Sequence, residues 1–212
     1  LTPGAATRLT LGADTQTNIH TLRSSMNQPT MPYEAKARAR DARFAQQGLF
    51  GEAAVTLAPG RRAYAGGRLD RWEATDSRAV VSLSMMATAP NPSAGRTRTS
   101  DLASGFARYE HDLGGTTGTT TLFAGRGRTQ RYPDYWEAIK NESATSVSAF
   151  GTRPETTTQF DAGVVGKHGS LEWNLSLFVA GIDDFILVQS GWAKPSGMMT
   201  RSAVVTRNID AS

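Results

Sequence analysis

Apolar and polar residues alternate with a period of two through much of the chain. From Leu9 to Ile19 the odd positions are mostly apolar and the even positions are polar or glycine. Successive side chains of an extended strand point to opposite faces, so this alternation predicts a strand with one apolar and one polar face. The same pattern recurs at 49–57, 63–70, 159–164 and 171–179. Residues 119–130 alternate poorly and are predicted as a strand from their neighbours.

The connections between these strands are of two very different lengths. Short turns rich in Gly and Pro, which suit tight reversals, are predicted at 58–60, 113–118 and 167–170. Long polar stretches alternate with them, near 24–40, 79–100, 131–155 and 190–204. Loops of that length are uncommon in compact soluble domains, whereas a membrane β-barrel has short turns at one rim and long loops at the other. The pattern favours an all-β, antiparallel transmembrane barrel with about eight strands in this chain.

Membrane spanning by strands also agrees with the distribution of apolar residues. No apolar run approaches the roughly 18 residues that a membrane helix needs. Tyr109 and Trp173 fall on the predicted apolar faces near short turns, where an interfacial aromatic girdle is expected. A soluble β-sandwich that binds or adheres to a partner also has alternating strands, and it is kept as an alternative.

Composition excludes several classes of function. The chain has 39% hydrophobic and 20% charged residues, within the globular range, and no cysteine, so it builds neither a disulfide nor a thiolate metal site. Its net charge of +4 is spread along the chain, which is not the basic tract of a nucleic-acid partner. Ser, His and acidic residues do not occur in a recognised nucleophile context, so no enzymatic activity is predicted.

Several runs of residues resemble the TonB-dependent copper receptors of Gram-negative outer membranes. Pro-Glu-Thr-Thr at 154–157 and Asn-Ile-Asp-Ala at 208–211 are similar to barrels of many TonB-dependent transporters. Tyr-Pro-Asp-Tyr-Trp-Glu at 132–137, Asp-Asp-Phe-Ile-Leu at 183–187 and Gly-Met-Met at 197–199 resemble the copper branch in particular. The resemblance implies a barrel of about 22 strands. Residues 1–212 are then expected to be part of that barrel, with the N-terminal plug domain absent from this chain.

The resemblance also implies a location, a cargo and partners. It implies a monomeric barrel in the bacterial outer membrane, in contact with membrane lipid and lipopolysaccharide. Copper ion would be the transported ligand and not a catalytic cofactor. Coupling to the TonB complex would run through the plug region. Residues of this chain alone do not predict that coupling.

Soft thioether and imidazole groups are the ligands that reduced copper prefers, so Met and His are the residues of interest. His20 continues the polar face of the first strand at its long-loop end and should look into the barrel. In copper receptors of this family the copper-binding His of the barrel is followed two positions later by Met, and here that position is Leu22. The other predicted ligands are four methionines in the long polar stretches: Met26, Met31, Met198 and Met199.

The remaining histidines and the aromatic residues of the long stretches have other interpretations. His111 and His168 lie beside short turns, where surface roles are expected. If the cargo were a siderophore or another metal chelate, arginine and aromatic side chains would hold it. The candidates for that alternative are Arg96, Arg98, Tyr132, Tyr135 and Trp136.

Overall fold

The chain consists almost entirely of antiparallel strands. The computed structural model describes residues 6–23, 27–82, 87–114, 118–139, 149–196 and 198–211. The strands are β1 (Thr7–Leu22), β2 (Ala39–Ala58), β3 (Arg61–Asp76), β4 (Val80–Ser82), β5 (Thr88–Pro90), β6 (Thr97–Leu113), β7 (Gly118–Arg131), β8 (Glu155–His168), β9 (Leu171–Ser196) and β10 (Met199–Ala211). A single 3₁₀ turn (Tyr33–Ala35) and a four-residue helix α1 (Tyr135–Ala138) are the helical segments of the described ranges. None of these ranges holds a helix long and apolar enough to cross a membrane.

Eight strands form one sheet in the order β1-β2-β3-β6-β7-β8-β9-β10, and every neighbouring pair is antiparallel. The predicted all-β antiparallel fold is therefore confirmed. Strand β7 pairs with β8 along its whole length, although its sequence alternates poorly. A small separate hairpin, β4 with β5, lies in the connection between β3 and β6 and was not predicted.

The register of the sheet keeps apolar side chains on one surface from strand to strand. Leu11 pairs with Gly51, and Leu49 pairs with both Ala13 and Leu69. We call this surface the apolar face and the opposite surface the polar face. The large side chains of the apolar face are exposed, and the described residues contain no second large sheet that covers them. The soluble sandwich alternative is therefore wrong for these residues, and a surface this apolar is suited to lipid.

The connections between strands are short at one end of the sheet and long at the other, as predicted from the sequence. Gly60 and Gly169 turn the chain between β2 and β3 and between β8 and β9, each with a positive φ that favours glycine. Strand β6 ends and β7 begins at the same short-turn end, at Leu113 and Gly118. At the opposite, long-loop end, β1, β3 and β7 end at Leu22, Asp76 and Arg131, and β2, β6 and β8 begin at Ala39, Thr97 and Glu155. Tyr109 and Trp173 are half-exposed on the apolar face near the short-turn end.

The prediction of a fourth long loop near 190–204 is wrong. Strand β9 continues to Ser196 and β10 begins at Met199, with Ala203 paired to Trp192. The register shifts between Ala203 and Val205, and Gly191 has a φ of 79°. These irregularities interrupt the period of two, so the sequence does not look like a strand there. Backbone pairing needs no apolar face where a strand extends past the membrane, which explains the polar composition.

Aromatic residues on the polar face lie directly opposite glycines of the neighbouring strand. A Cβ atom at each of these glycines would collide with the facing ring. The ring thus covers the strand segment that the glycine leaves without a side chain, an arrangement that stabilises glycine in sheets. The pairs are Phe50 with Gly12, Phe106 with Gly66 and Phe123 with Gly163.

Candidate functional site at the long-loop end

The connection between β7 and β8 folds back onto the polar face of the sheet. Its residues cover a patch of β2, β3 and β6 near the long-loop end, and Trp72 at the centre is 1% exposed. We call this group the loop cluster. Its buried members are Ala42, Phe44, Trp72, Ala74 and Leu102 from the strands and Ala138, Ile139 and Phe150 from the connection, with Tyr132 and Tyr135 packed against it.

The first arm of this connection is held by the run at 132–137 that resembles copper receptors. The backbone N–H of Glu137 donates to the Asp134 carboxylate over 2.8 Å, and the backbone N–H of Asp134 donates to the Glu137 carboxylate over 2.9 Å. This capping box satisfies two donors at the start of α1. Arg131 at the end of β7 adds an ion pair of 2.7 Å to Glu137. The helix is therefore fixed to the strand that precedes it.

Two further contacts hold the connection against the sheet. Arg98 on β6 donates to the backbone carbonyls of Phe150, over 3.0 Å, and of Thr152. The ring of Tyr132 stacks on Trp72 with centroids 5.0 Å apart and planes 21° from parallel. Burial in this position raises the pKa of the Tyr132 phenol. Tyr132 and Arg98 are thus engaged in internal contacts.

His20 lies on the polar face of β1 at its long-loop end, beside the loop cluster. Its imidazole stacks on the ring of Tyr135 with centroids 4.3 Å apart and planes 8° from parallel, and it meets Phe44 edge-on at 5.5 Å. The Tyr135 hydroxyl donates to the carboxylate of Asp41. Among the described residues no hydrogen bond to the His20 imidazole is found. His20 thus lies on the polar side of β1, as the period of two predicts, and its facing a barrel interior stays a prediction.

His20 borders a cleft of about 340 Å³ between β1, β2, β3 and α1. The floor is made of polar-face residues of the strands, and Trp136, 73% exposed, stands at the rim. No group of three or more His, Cys, Asp or Glu in the described ranges is arranged to hold a metal. The cleft therefore offers one imidazole and the carboxylate residue Asp134 among amide and aromatic groups. Its lining includes Gln16, Asn18, His20, Phe44, Gln46, Trp72, Tyr132, Tyr135 and Trp136.

A buried polar network fixes the neighbouring connection between β3 and β6. Asp76 is fully buried and accepts hydrogen bonds from Asn91 Nδ2 (2.9 Å) and Ser93 Oγ (2.7 Å). The guanidinium of Arg78 forms an ion pair of 2.7 Å with the same carboxylate. This network was not predicted from the sequence, because Asp76, Arg78, Asn91 and Ser93 form no recognisable motif.

The predicted methionine ligands are not gathered around His20. Met31 is half-exposed in the connection between β1 and β2, and Met26 lies outside the described residues. Met198 and Met199 are exposed at the tip of the hairpin of β9 and β10. Because β1 and β10 are the two edges of the eight-stranded sheet, the path along it between them is on the order of 30 Å at about 4.8 Å per strand. His20 and the hairpin methionines therefore do not share one coordination sphere in this arrangement.

Comparison with known proteins identifies relatives of the chain. Residues 1–211 match the family model described as TonB dependent receptor-like, beta-barrel. A solved structure titled "Copper transporter OprC" superimposes with a TM-score of 0.82 at 34% sequence identity, covering 96% of this chain. This chain spans 31% of the length of that structure. No curated protein sequence matches the chain.

These findings agree with the sheet and its two faces. The match to the family model covers nearly the whole chain, and the solved structure has the same fold over the same residues. The family model is described as receptor-like and the solved structure is titled a transporter, and neither is described as an enzyme. The chain belongs to the family of TonB-dependent receptor-like β-barrels.

Proposed function

We propose that the protein that contains this chain is an outer-membrane receptor that imports copper, with His20 as a ligand on the extracellular side of the barrel interior. The observation that carries the proposal is the position of His20, on the polar face, in an open cleft, with no hydrogen bond to its imidazole in the described ranges. Imidazole is a good ligand for copper. The similarity to a structure titled as a copper transporter supports this cargo over others.

The proposed path of copper starts at the long-loop end. The exposed thioethers of Met198, Met199 and Met31 are suited to weak capture at the surface, and His20 binds copper at the mouth of the interior. Met26 is proposed for the same capture role. Because one imidazole alone does not hold copper firmly, the remaining ligands would come from other parts of the full-length protein. Passage inward is proposed to depend on the TonB complex, through a plug domain outside residues 1–212.

The test is copper accumulation in cells whose copper uptake depends on the full-length receptor. His20→Ala should lower the apparent affinity for copper roughly tenfold or more, a loss in the range seen when metal sites are perturbed. His111→Ala and His168→Ala are matched controls, because these histidines lie near the short-turn end, and both should transport normally. Unchanged uptake by His20→Ala, at equal receptor abundance, would show that His20 is not a ligand.

A metal chelate is the second candidate cargo, and the exposed Trp136 at the rim of an aromatic cleft favours it. Aromatic faces grip flat conjugated chelates by stacking. Uptake of free copper in competition with iron chelates separates the two proposals. If a chelate inhibits copper uptake by the parent and does not inhibit uptake by Trp136→Ala, the chelate hypothesis is supported. A lack of competition would leave copper as the cargo.

A further inference from the structure

Strand β7 places two arginines on the apolar face of the sheet. In order from the short-turn end, its residues on that face are Thr120, Leu122, Ala124, Arg126 and Arg128. Arg126 lies between Ala107 of β6 and Phe160 of β8, and Arg128 lies between Gly105 and Thr158. Both arginine side chains are exposed. Two positive charges therefore interrupt a surface that is otherwise suited to lipid.

The contacts of these arginines leave their charges uncompensated. The guanidinium of Arg126 lies over the ring of Phe160, 5.0 Å from its centroid. Arg128 Nη1 donates to the backbone carbonyl of Ala103 over 3.1 Å. Neither forms an ion pair with a carboxylate in the described part of the chain.

Two other arginines of the apolar face have acidic partners. Arg43 pairs with Glu73 at 2.9 Å, and Arg71 pairs with Asp101 at 3.6 Å. The carboxylate of Asp101 is thus already engaged by Arg71. Arg126 and Arg128 differ from these paired arginines in needing an anion from outside the chain.

The height of these residues in the membrane indicates where that anion would come from. Arg128 is ten residues beyond Gly118, the start of β7 at the short-turn end. At about 3.3 Å per residue and a tilt of about 40°, this is roughly 25 Å along the membrane normal, the height of the apolar band of such barrels. An arginine facing lipid is strongly unfavourable at the midplane and close to neutral at the boundary. Arg126 is two residues lower on the same strand, roughly 5 Å along the membrane normal.

We propose that Arg126 and Arg128 form a binding site for the phosphate groups of a phosphorylated glycolipid of the outer leaflet, lipopolysaccharide. The planar guanidinium presents paired N–H donors that match phosphate oxygens. Phe160 holds Arg126 in place and leaves the edge of its guanidinium free for the anion. The acyl chains of the same lipid would lie along the apolar residues below, on β8 and β9: Ala162, Val164, Leu175 and Leu177. The site is separate from the proposed copper path, which lies on the polar face.

The test compares glycolipid retained by the full-length receptor after purification from outer membranes. Native mass spectrometry counts the phosphorylated glycolipid bound to each receptor. The double variant R126Q/R128Q should retain roughly 30-fold less, because each such contact contributes about a factor of five near a charged membrane surface. R71Q is the matched control, since Arg71 already has an acidic partner, and it should retain the lipid like the parent. Equal retention by R126Q/R128Q, with an unchanged circular dichroism spectrum, would overturn the proposal.

A second measurement identifies the source of the phosphate. Added lipopolysaccharide should raise the thermal unfolding temperature of the lipid-stripped parent receptor and leave that of R126Q/R128Q unchanged. Dephosphorylated glycolipid should have no effect on either. An equal rise with dephosphorylated glycolipid would show that acyl contacts alone are responsible, and an equal rise with inorganic phosphate would show that no lipid is required. Either result would contradict the proposed site.

Discussion

The imidazole of His20 and the phenol ring of Tyr135 lie parallel, 4.3 Å apart between their centroids. One ring belongs to the first strand of the sheet and the other to the helix in the connection between β7 and β8. Tyr135 therefore fixes the plane of the proposed copper ligand and also holds the connection over the polar face. Through this contact, the position of the connection and the orientation of the His20 nitrogens depend on each other.

Removing the ring of Tyr135 is expected to weaken copper binding without removing the ligand. A stacked aromatic pair contributes about 0.5–1.5 kcal/mol, so Tyr135→Ala should lower the apparent copper affinity of the receptor by about 2- to 12-fold. Concentration-dependent copper accumulation in cells measures this change. Tyr135→Phe is the matched control, because it keeps the ring and loses only the hydrogen bond to Asp41. A loss in Tyr135→Phe as large as in Tyr135→Ala would assign the effect to Asp41 and not to stacking.

Removing the Asp76 carboxylate is expected to release the connection between β3 and β6. Asp76→Ala breaks the 2.7 Å ion pair of the buried Arg78 guanidinium and leaves Asp41 at 4.0 Å as a more distant carboxylate. Breaking a buried pair costs about 3–5 kcal/mol. Because the network lies at the end of the sheet, the cost should appear as local opening with the strands still paired. Limited proteolysis should then cut within 77–96. Asp101→Ala, which removes an exposed partner of Arg71, should leave the cleavage pattern unchanged.

Much of the sheet was predictable because burial in lipid leaves a simple pattern. Alternation predicted β1, β2, β3, β8 and β9, and the glycines of the short turns predicted the reversals. The alternation of apolar and polar residues was missing where one face of a strand did not need to be apolar. Residues 190–196 and 199–204 lie in paired strands, and beyond the apolar band of a barrel nothing requires one face of a strand to be apolar. Arginine at 126 and 128 obscured the alternation of β7 in the same way.

The candidate site was predictable only in part. The strand period predicted that His20 lies on the polar face, and the resemblance drew attention to the run at 132–137. Neither predicted that Tyr135 stacks on His20, because this contact depends on how a long connection folds back. The Asp76 network escaped notice for the same reason. Contacts between distant segments leave no periodic signal in the sequence.

Phe106 provides an internal comparison of two glycines on the polar face. It pairs with Gly66 on β3 and with Gly127 on β7, and its ring covers only Gly66. A Cβ at position 66 would lie 2.5 Å from Phe106 Cε1, whereas one at position 127 would meet nothing within 4 Å. Gly66→Ala should therefore destabilise the receptor by about 1–3 kcal/mol, as overpacking does. Gly127→Ala should be close to neutral. Urea unfolding in detergent measures both, and equal effects would contradict the covering role of the ring.

The separation of His20 from the hairpin methionines predicts independent contributions to copper uptake. Met198→Leu with Met199→Leu keeps the apolar surface and removes both thioethers, so uptake at low copper concentration should fall. Sites on opposite edges of the sheet share no ligand, and the free-energy changes of such distant substitutions add within about 0.5 kcal/mol. The measurement is a double-mutant cycle. It compares the apparent copper affinities of the parent, His20→Ala, the methionine variant and the variant that combines both changes. If the combined variant has the same apparent copper affinity as His20→Ala alone, the methionines and His20 act as one site. The β1 and β10 edges of this sheet would then have to approach each other in the full-length receptor.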